Sequence, residues 1–144
     1  MRATCLALQD EVGLDVDILL AILWAAREGW LLDAPSLRSL LADTASVRAW
    51  IEQQRRHRRV AGSRAATDPD WRPVADAALA AELAGERLAL RRSYGRLREL
   101  SLEKKTQPRD AARDGLTAYA QIMEIEAPVA AFEVLVSALA SDPA

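Results

Sequence analysis

Cysteine, histidine and phenylalanine each occur once in this chain, as Cys5, His57 and Phe132, and tyrosine twice, as Tyr94 and Tyr119. Each scarcity removes a class of chemistry. One cysteine excludes an internal disulfide and any multi-cysteine zinc site. Its setting in the apolar run Cys5-Leu-Ala-Leu8 makes it a buried, inert thiol. One histidine, set among arginines, leaves a histidine metal cluster or a nucleophile–histidine pair without supporting context. No catalytic residue, metal ligand or cofactor is therefore assigned. β-Branched residues are few and scattered, so no strand is expected. The longest apolar run, Ile18 to Ala26, is roughly half of what a membrane span needs. The first residues reach Gln9-Asp10-Glu11 after a handful of apolar side chains. That is too little for the apolar region of a secretion signal, and a cytoplasmic address is expected.

What is abundant forms helices. Alanine, leucine, arginine and glutamate dominate, and 144 residues suit one domain with one core. The net charge of −2 hides a pattern. Residues 1–50 hold 4 basic and 7 acidic side chains, residues 51–105 hold 13 and 8, and residues 106–144 hold 2 and 6. A basic middle between acidic ends is either satisfied within the fold or is a recognition surface, and charge alone does not choose.

The densest local information lies between Cys5 and Trp24. A first helix over about 3–12 ends at Gly13, suited to a left-handed C-terminal stop. A second starts at once: Asp15 is the expected N-cap, Asp17 puts a negative charge at the positive end of the helix dipole, and Leu14 with Leu19 fits a hydrophobic staple. This second helix, 16–28, is apolar almost all round, as expected of the enclosed element of a bundle. Gly29 is its stop, with Trp30 placed to fold back on the last turn.

Asp33-Ala-Pro-Ser36 then opens a short amphipathic segment carrying Leu37, Leu40 and Leu41. Asp43-Thr44 is the next expected cap, for a helix to about Ala61 with Val47, Trp50, Ile51 and Gln54 on one face. Residues 62–69 read as a flexible loop. Asp68-Pro69 or Asp70 starts a helix over about 71–105. Unbroken, it spans roughly 50 Å at 1.5 Å per residue, so Gly85 or Gly95 is a candidate kink or break. Two terminal helices, about 110–125 and 128–140, precede a frayed tail at 141–144.

Three constellations carry candidate chemistry. Arg55, Arg56, Arg58, Arg59 and Arg64 form the strongest binding feature, because guanidinium forks pair with phosphate or carboxylate oxygens. The competing reading is a solvated face paired with Asp68, Asp70, Asp76 and Glu82. No aromatic or glycine-rich element accompanies the run to suggest base stacking. Glu82 and Glu86 share a helix face at the spacing of di-metal carboxylate bundles. Those also need a Glu-x-x-His element, so pairing with arginines on a neighbouring helix is the expected role. Gln9 and Asp10 lack a capping explanation. With Asp17, Trp24 and Arg27 they outline an alternative pocket beside helix 16–28.

Taken together, residues 5–24, the later Trp50, Glu82-Leu-Ala-Gly-Glu-Arg87 and Leu116-Thr-Ala-Tyr119 resemble an uncharacterised proteobacterial family, domain of unknown function family 2390. The resemblance is most specific over residues 5–30. The family pattern usually has asparagine where this chain has Asp17, and an additional segment with Trp and Tyr-Pro before the position of Arg2. The resemblance implies a bacterial cytosolic helical protein and supplies no catalytic residue. The expectation is one all-α domain of about six or seven helices around helix 16–28. Its leading function is that of a non-enzymatic adaptor meeting an acidic protein or nucleic acid through Arg55–Arg64. The pocket is the alternative. A homodimer through Leu83, Leu90 and Leu97, at heptad spacing, is a third possibility.

Overall fold

The computed structural model describes residues 2–104 and 107–139. Among these, six α-helices carry an all-α fold: α1 (Arg2–Ala7), α2 (Val16–Arg27), α3 (Ala34–Ala65), α4 (Arg72–Glu99), α5 (Pro108–Ile122) and α6 (Val129–Ala138). A π-helical turn (Leu8–Val12) follows α1 and a 3-10 turn (Pro69–Trp71) leads into α4. Two short strands, β1 (Trp30–Leu31) and β2 (Glu103–Lys104), pair antiparallel with Trp30 opposite Lys104. The pair corrects the expectation of no strand: two residues carry no alternation to read. The chain divides into two compact units, one built from the residues up to 42 and from 93 onward, the other from residues 43–92.

In the first unit α2 is the enclosed helix. Ile18, Leu19, Ala21, Ile22, Leu23, Ala25 and Ala26 are all buried, and α5 packs along it. The inner face of α5 is small where the two axes approach: Ala111, Ala112 and Gly115 are buried beside Leu116 and Tyr119. A Cβ on Gly115 would stand 2.8 Å from Ile22 Cγ2, so glycine sets the separation of the two helices. α6 covers α5 with Phe132, Leu135 and Val136, and Cys5 and Leu8 add to the same core.

The boundaries of α2 follow local chemistry. Gly13 takes φ 78° and Gly29 φ 79°, the left-handed region that glycine enters without a Cβ penalty. The π-turn widens the first stop, so Gly13 N–H donates to Gln9 O at 3.2 Å and Leu14 N–H to Leu8 O at 3.1 Å. Asp15 occupies the N-cap position with extended backbone, but its side chain makes no cap hydrogen bond. This corrects its expected role: its own N–H donates to the Tyr119 hydroxyl at 3.0 Å, which ties the start of α2 to α5. Trp30 lies in β1, which packs beside α2, and is 37% exposed. Asp33 Oδ1 does accept from Ser36 N–H at 3.0 Å, with Pro35 in the first turn of α3.

The second unit is an antiparallel pair of helical segments. Trp50 and Ile51 of α3 meet Gly85 of α4, Arg55 meets Glu82, and Arg64 meets Trp71, so the numbers rise on one helix as they fall on the other. Its apolar centre is small: Val47, Ile51 and Ala89. The helix breaks expected here do not occur. α3 is continuous through Asp43-Thr44 and through Gly62 to Ala65. Thr44 is buried, and its hydroxyl accepts from Arg48 Nε at 3.2 Å one turn on, so it serves the helix interior instead of a cap. α4 likewise passes through Gly85 and Gly95 and ends at Glu99. The loop at 62–69 shrinks to three residues before Pro69, where Asp68 caps the 3-10 turn by accepting from Asp70 N–H at 3.1 Å. Lys105 and the tail at 141–144 lie outside the described residues.

Candidate functional site

The arginine run separates into two sets. Arg55 and Arg58 turn toward α4 and converge on Glu82, which is only 5% exposed. Arg55 Nε donates to Glu82 Oε1 at 3.1 Å, and its terminal nitrogens reach Glu52 at 3.3 Å and Glu86 at 3.5 Å. Arg58 donates to both Glu82 oxygens, through Nε and through Nη2. Burial pushes the Glu82 carboxyl up, but the hydrogen bonds and charges of Arg58 and Arg55 outweigh it and hold the group below the ordinary carboxylate range. Glu82 and Glu86 thus pair with arginines of the neighbouring helix. Among the described residues Asp68, Asp70 and Asp76 make no ion pair with the run; Glu82, Glu86 and Glu52 pair with Arg55, Arg56 and Arg58.

The other set faces water. Arg56 is largely exposed, held only by a 3.4 Å contact to Glu52. His57 and Arg59 are exposed, and Arg64 lies over the Trp71 ring with its guanidinium carbon 4.5 Å from the centroid. On α4, Arg72, Arg87, Arg91 and Arg92 are exposed too. Among the described residues no carboxylate pairs with Arg59, Arg64, Arg72, Arg87, Arg91 or Arg92.

Sequence reasoning missed a groove of about 360 Å³ on one flank of the same unit, lined by Ser46, Val47, Trp50, Ala84, Gly85, Leu88 and Arg92. Its wall exists because position 85 is glycine. A Cβ there would lie 2.8 Å from Ile51 Cγ1 and 2.9 Å from Trp50 Cζ3, so the indole rests against the α4 backbone while 42% of Trp50 remains exposed. A signal was present: Ser46, Trp50, Gln53, His57 and Val60 recur at alternating four- and three-residue spacing without a charge.

The residues of the alternative pocket lie in the first unit. Gln9 is half-buried and Asp10 exposed on the π-turn, Asp17 is half-buried in the first turn of α2, and Arg27 is exposed at its end. Trp24 packs edge-to-face on Tyr94, with ring centroids 5.2 Å apart at 75°. The Leu83, Leu90 and Leu97 stripe is not uniform: Leu83 is 40% exposed, Leu90 half-buried and Leu97 buried in the core of the first unit. Burial pushes the Cys5 thiol up, which disfavours the reactive thiolate. Among the described residues no three His, Cys, Asp or Glu side chains gather as a metal site, and no helix is long and apolar enough to cross a membrane.

A family model described as a protein of unknown function (DUF2390) matches residues 1–93, which covers both sides of the hairpin described above. No curated protein and no solved structure matches the chain.

Proposed function

We infer that this chain, which belongs to the DUF2390 family, is a non-enzymatic interaction protein of the bacterial cytoplasm. Its 43–92 hairpin meets an acidic protein. One observation carries the reading: six exposed arginines of that hairpin have no carboxylate partner among the described residues, whereas the buried carboxylate of the same hairpin is matched by two arginines. Exposed guanidiniums left in excess attract and orient an acidic surface. Arg55 and Arg58 take no part in this, because they hold the two helices together through Glu82. The recognition set is therefore Arg59 and Arg64 with the unpaired arginines of α4, joined by Arg56, whose exposed guanidinium keeps a 3.4 Å contact to Glu52.

The test is binding of poly-glutamate and of duplex DNA to the full chain at about 50 and 300 mM NaCl. Poly-glutamate is expected to bind more weakly at the higher salt, and the combined variant Arg56→Glu, Arg59→Glu, Arg64→Glu to lose binding with an unchanged helical spectrum. Salt-independent binding, or full binding by the variant, overturns the reading, and preference for DNA replaces the protein partner by a nucleic acid. A second reading is a ligand pocket beside α2 formed by Gln9, Asp10, Asp17, Trp24 and Arg27. It is favoured by the π-helical turn that carries Gln9 and Asp10, since such turns recur at functional sites. A small molecule whose thermal stabilisation of the chain is abolished by Asp10→Asn would support it.

A further inference from the structure

We propose that the Trp50 groove receives an amphipathic helix of the acidic partner, with its apolar seam against Trp50 and Leu88 and a carboxylate against Arg92. The proposal rests on the reading that the hairpin meets an acidic protein, and it names the form that protein presents.

Three observations lead there. The groove is shaped by packing: the Trp50 ring is held by the missing Cβ of Gly85 on one side and open to solvent on the other. It is also the middle of a longer uncharged strip. Ser46, Trp50, Gln53, His57 and Val60 continue it along α3, and Val74, Ala77, Ala81, Ala84 and Leu88 along α4. Both rows have the alternating three- and four-residue spacing by which one helix seats against another. Val60 is 54%, Val74 50% and Leu88 37% exposed, so the large apolar side chains of both rows face solvent. A third helix laid in the groove completes a bundle, as in other helix-in-groove recognition.

Charge selects the occupant. Arg92 lines the groove and Arg64 ends the α3 row, and neither has a carboxylate partner. No acidic residue lies on α3 between Ser46 and Arg64 on this flank. Asp43, one turn before Ser46, is engaged in an interaction of its own. A second copy docked through the same face would bring apolar rows and cations, with carboxylates only at the row ends, at Asp43 and at the exposed Asp70 before Val74, and none along the groove itself. A partner helix with acidic residues beside its apolar seam supplies what is missing. The groove is open along its length, so a compact small molecule would stay largely wetted, unlike the usual enclosed ligand site.

The test uses the full chain and two labelled synthetic peptides of about 18 residues, five helical turns. Both carry leucines at helical a/d spacing on an alanine–glutamine background; glutamates flank the seam in one and lysines in the other. Fluorescence anisotropy is expected to show saturable binding of the glutamate peptide and about three- to tenfold weaker binding of the lysine peptide, the range for a rim charge pair changed from attraction to repulsion. Arg92→Glu should invert the preference, and Leu88→Gln should abolish binding of both peptides while poly-glutamate still binds. Equal binding of the two peptides, or a preference untouched by Arg92→Glu, overturns the proposal. Poly-glutamate binding without peptide binding sinks it alone; loss of both removes the broader reading too. A dimer in sedimentation equilibrium that Leu88→Gln dissociates would assign the groove to a second copy instead.

Discussion

Gly85, Gly95 and Gly115 lie inside helices, so alanine at each removes the same propensity penalty of about 1 kcal/mol. Their surroundings differ, and that difference sets the sign of each substitution. A Cβ at Gly95 meets nothing within 4 Å, so Gly95→Ala should stabilise the fold by about 0.5–1 kcal/mol. At Gly85 the new atom would lie 2.8 Å from Ile51 Cγ1, on a side chain 5% exposed and held in place, and 2.9 Å from the edge of the Trp50 indole, which has room to swing outward. At Gly115 it would lie 2.8 Å from Ile22 Cγ2, on a side chain 1% exposed, and 3.4 Å from the Leu32 carbonyl oxygen. Overpacking costs about 1–3 kcal/mol. Set against the propensity gain, that leaves Gly85→Ala between neutral and about 2 kcal/mol destabilising, and Gly115→Ala near the upper end, because both of its neighbours are fixed. Urea unfolding followed by far-ultraviolet circular dichroism should rank the proteins Gly95→Ala, wild type, Gly85→Ala, Gly115→Ala. If Gly115→Ala or Gly85→Ala raises the midpoint as much as Gly95→Ala does, close helix approach at those positions is not what the glycines provide.

Two further outcomes follow from buried polar contacts. Glu82→Gln leaves Arg55 and Arg58 without their shared carboxylate and should destabilise the chain by about 3 kcal/mol at neutral pH. Because the native Glu82 carboxyl is held below its ordinary range, its contribution is complete above the unfolded value of about 4.3 and disappears as pH falls through the lower native value. The variant should therefore lose less stability than wild type on acidification below about pH 4, and identical acid profiles would contradict the role given to Glu82. Tyr119→Phe removes the acceptor of the Asp15 N–H, a contact made by a fully buried ring. A loss of about 1–2 kcal/mol is expected, with faster hydrogen exchange at the Asp15 amide; unchanged exchange there would show that the bond does not protect it.

Periodicity and stop residues were legible in the sequence because they are local. The enclosed character of α2, the left-handed stops at Gly13 and Gly29, the caps at Asp33 and Asp68, and the pairing of Glu82 and Glu86 with arginines were all readable from spacing and side-chain type. The misreadings came from residues whose role depends on a distant partner. Asp15 has the composition of a cap, but Tyr119 takes its N–H from 104 positions away. Thr44 looks like a cap until α3 buries it, and Gly85 looks like a break until Trp50 and Ile51 are set beside it. The same non-locality hid the groove: its two rows lie on different helices, and neither row alone is more than an exposed, uncharged face. Arg55 and Arg58 were indistinguishable in sequence from Arg56 and Arg59, because only the register of α3 against α4 decides which of them reach Glu82.

The pairing of α2 with α5 has a consequence for how the chain is made. α2 is complete at Arg27 and α5 only at Ile122, and the whole 43–92 hairpin is synthesised between them. At about 5–20 residues per second, the most apolar helix of the protein waits roughly 5–20 s on the ribosome for the surface that encloses it. During that interval Ile18, Ile22 and Leu23 face water or whatever binds them first. The hairpin, whose partners are close in sequence, has time to form within it, since local helical contacts close in microseconds to milliseconds. Folding of the two units is therefore ordered by translation, with the inserted hairpin first and the split core last, and a chain halted before Ile122 exposes α2 as a ready substrate for chaperones.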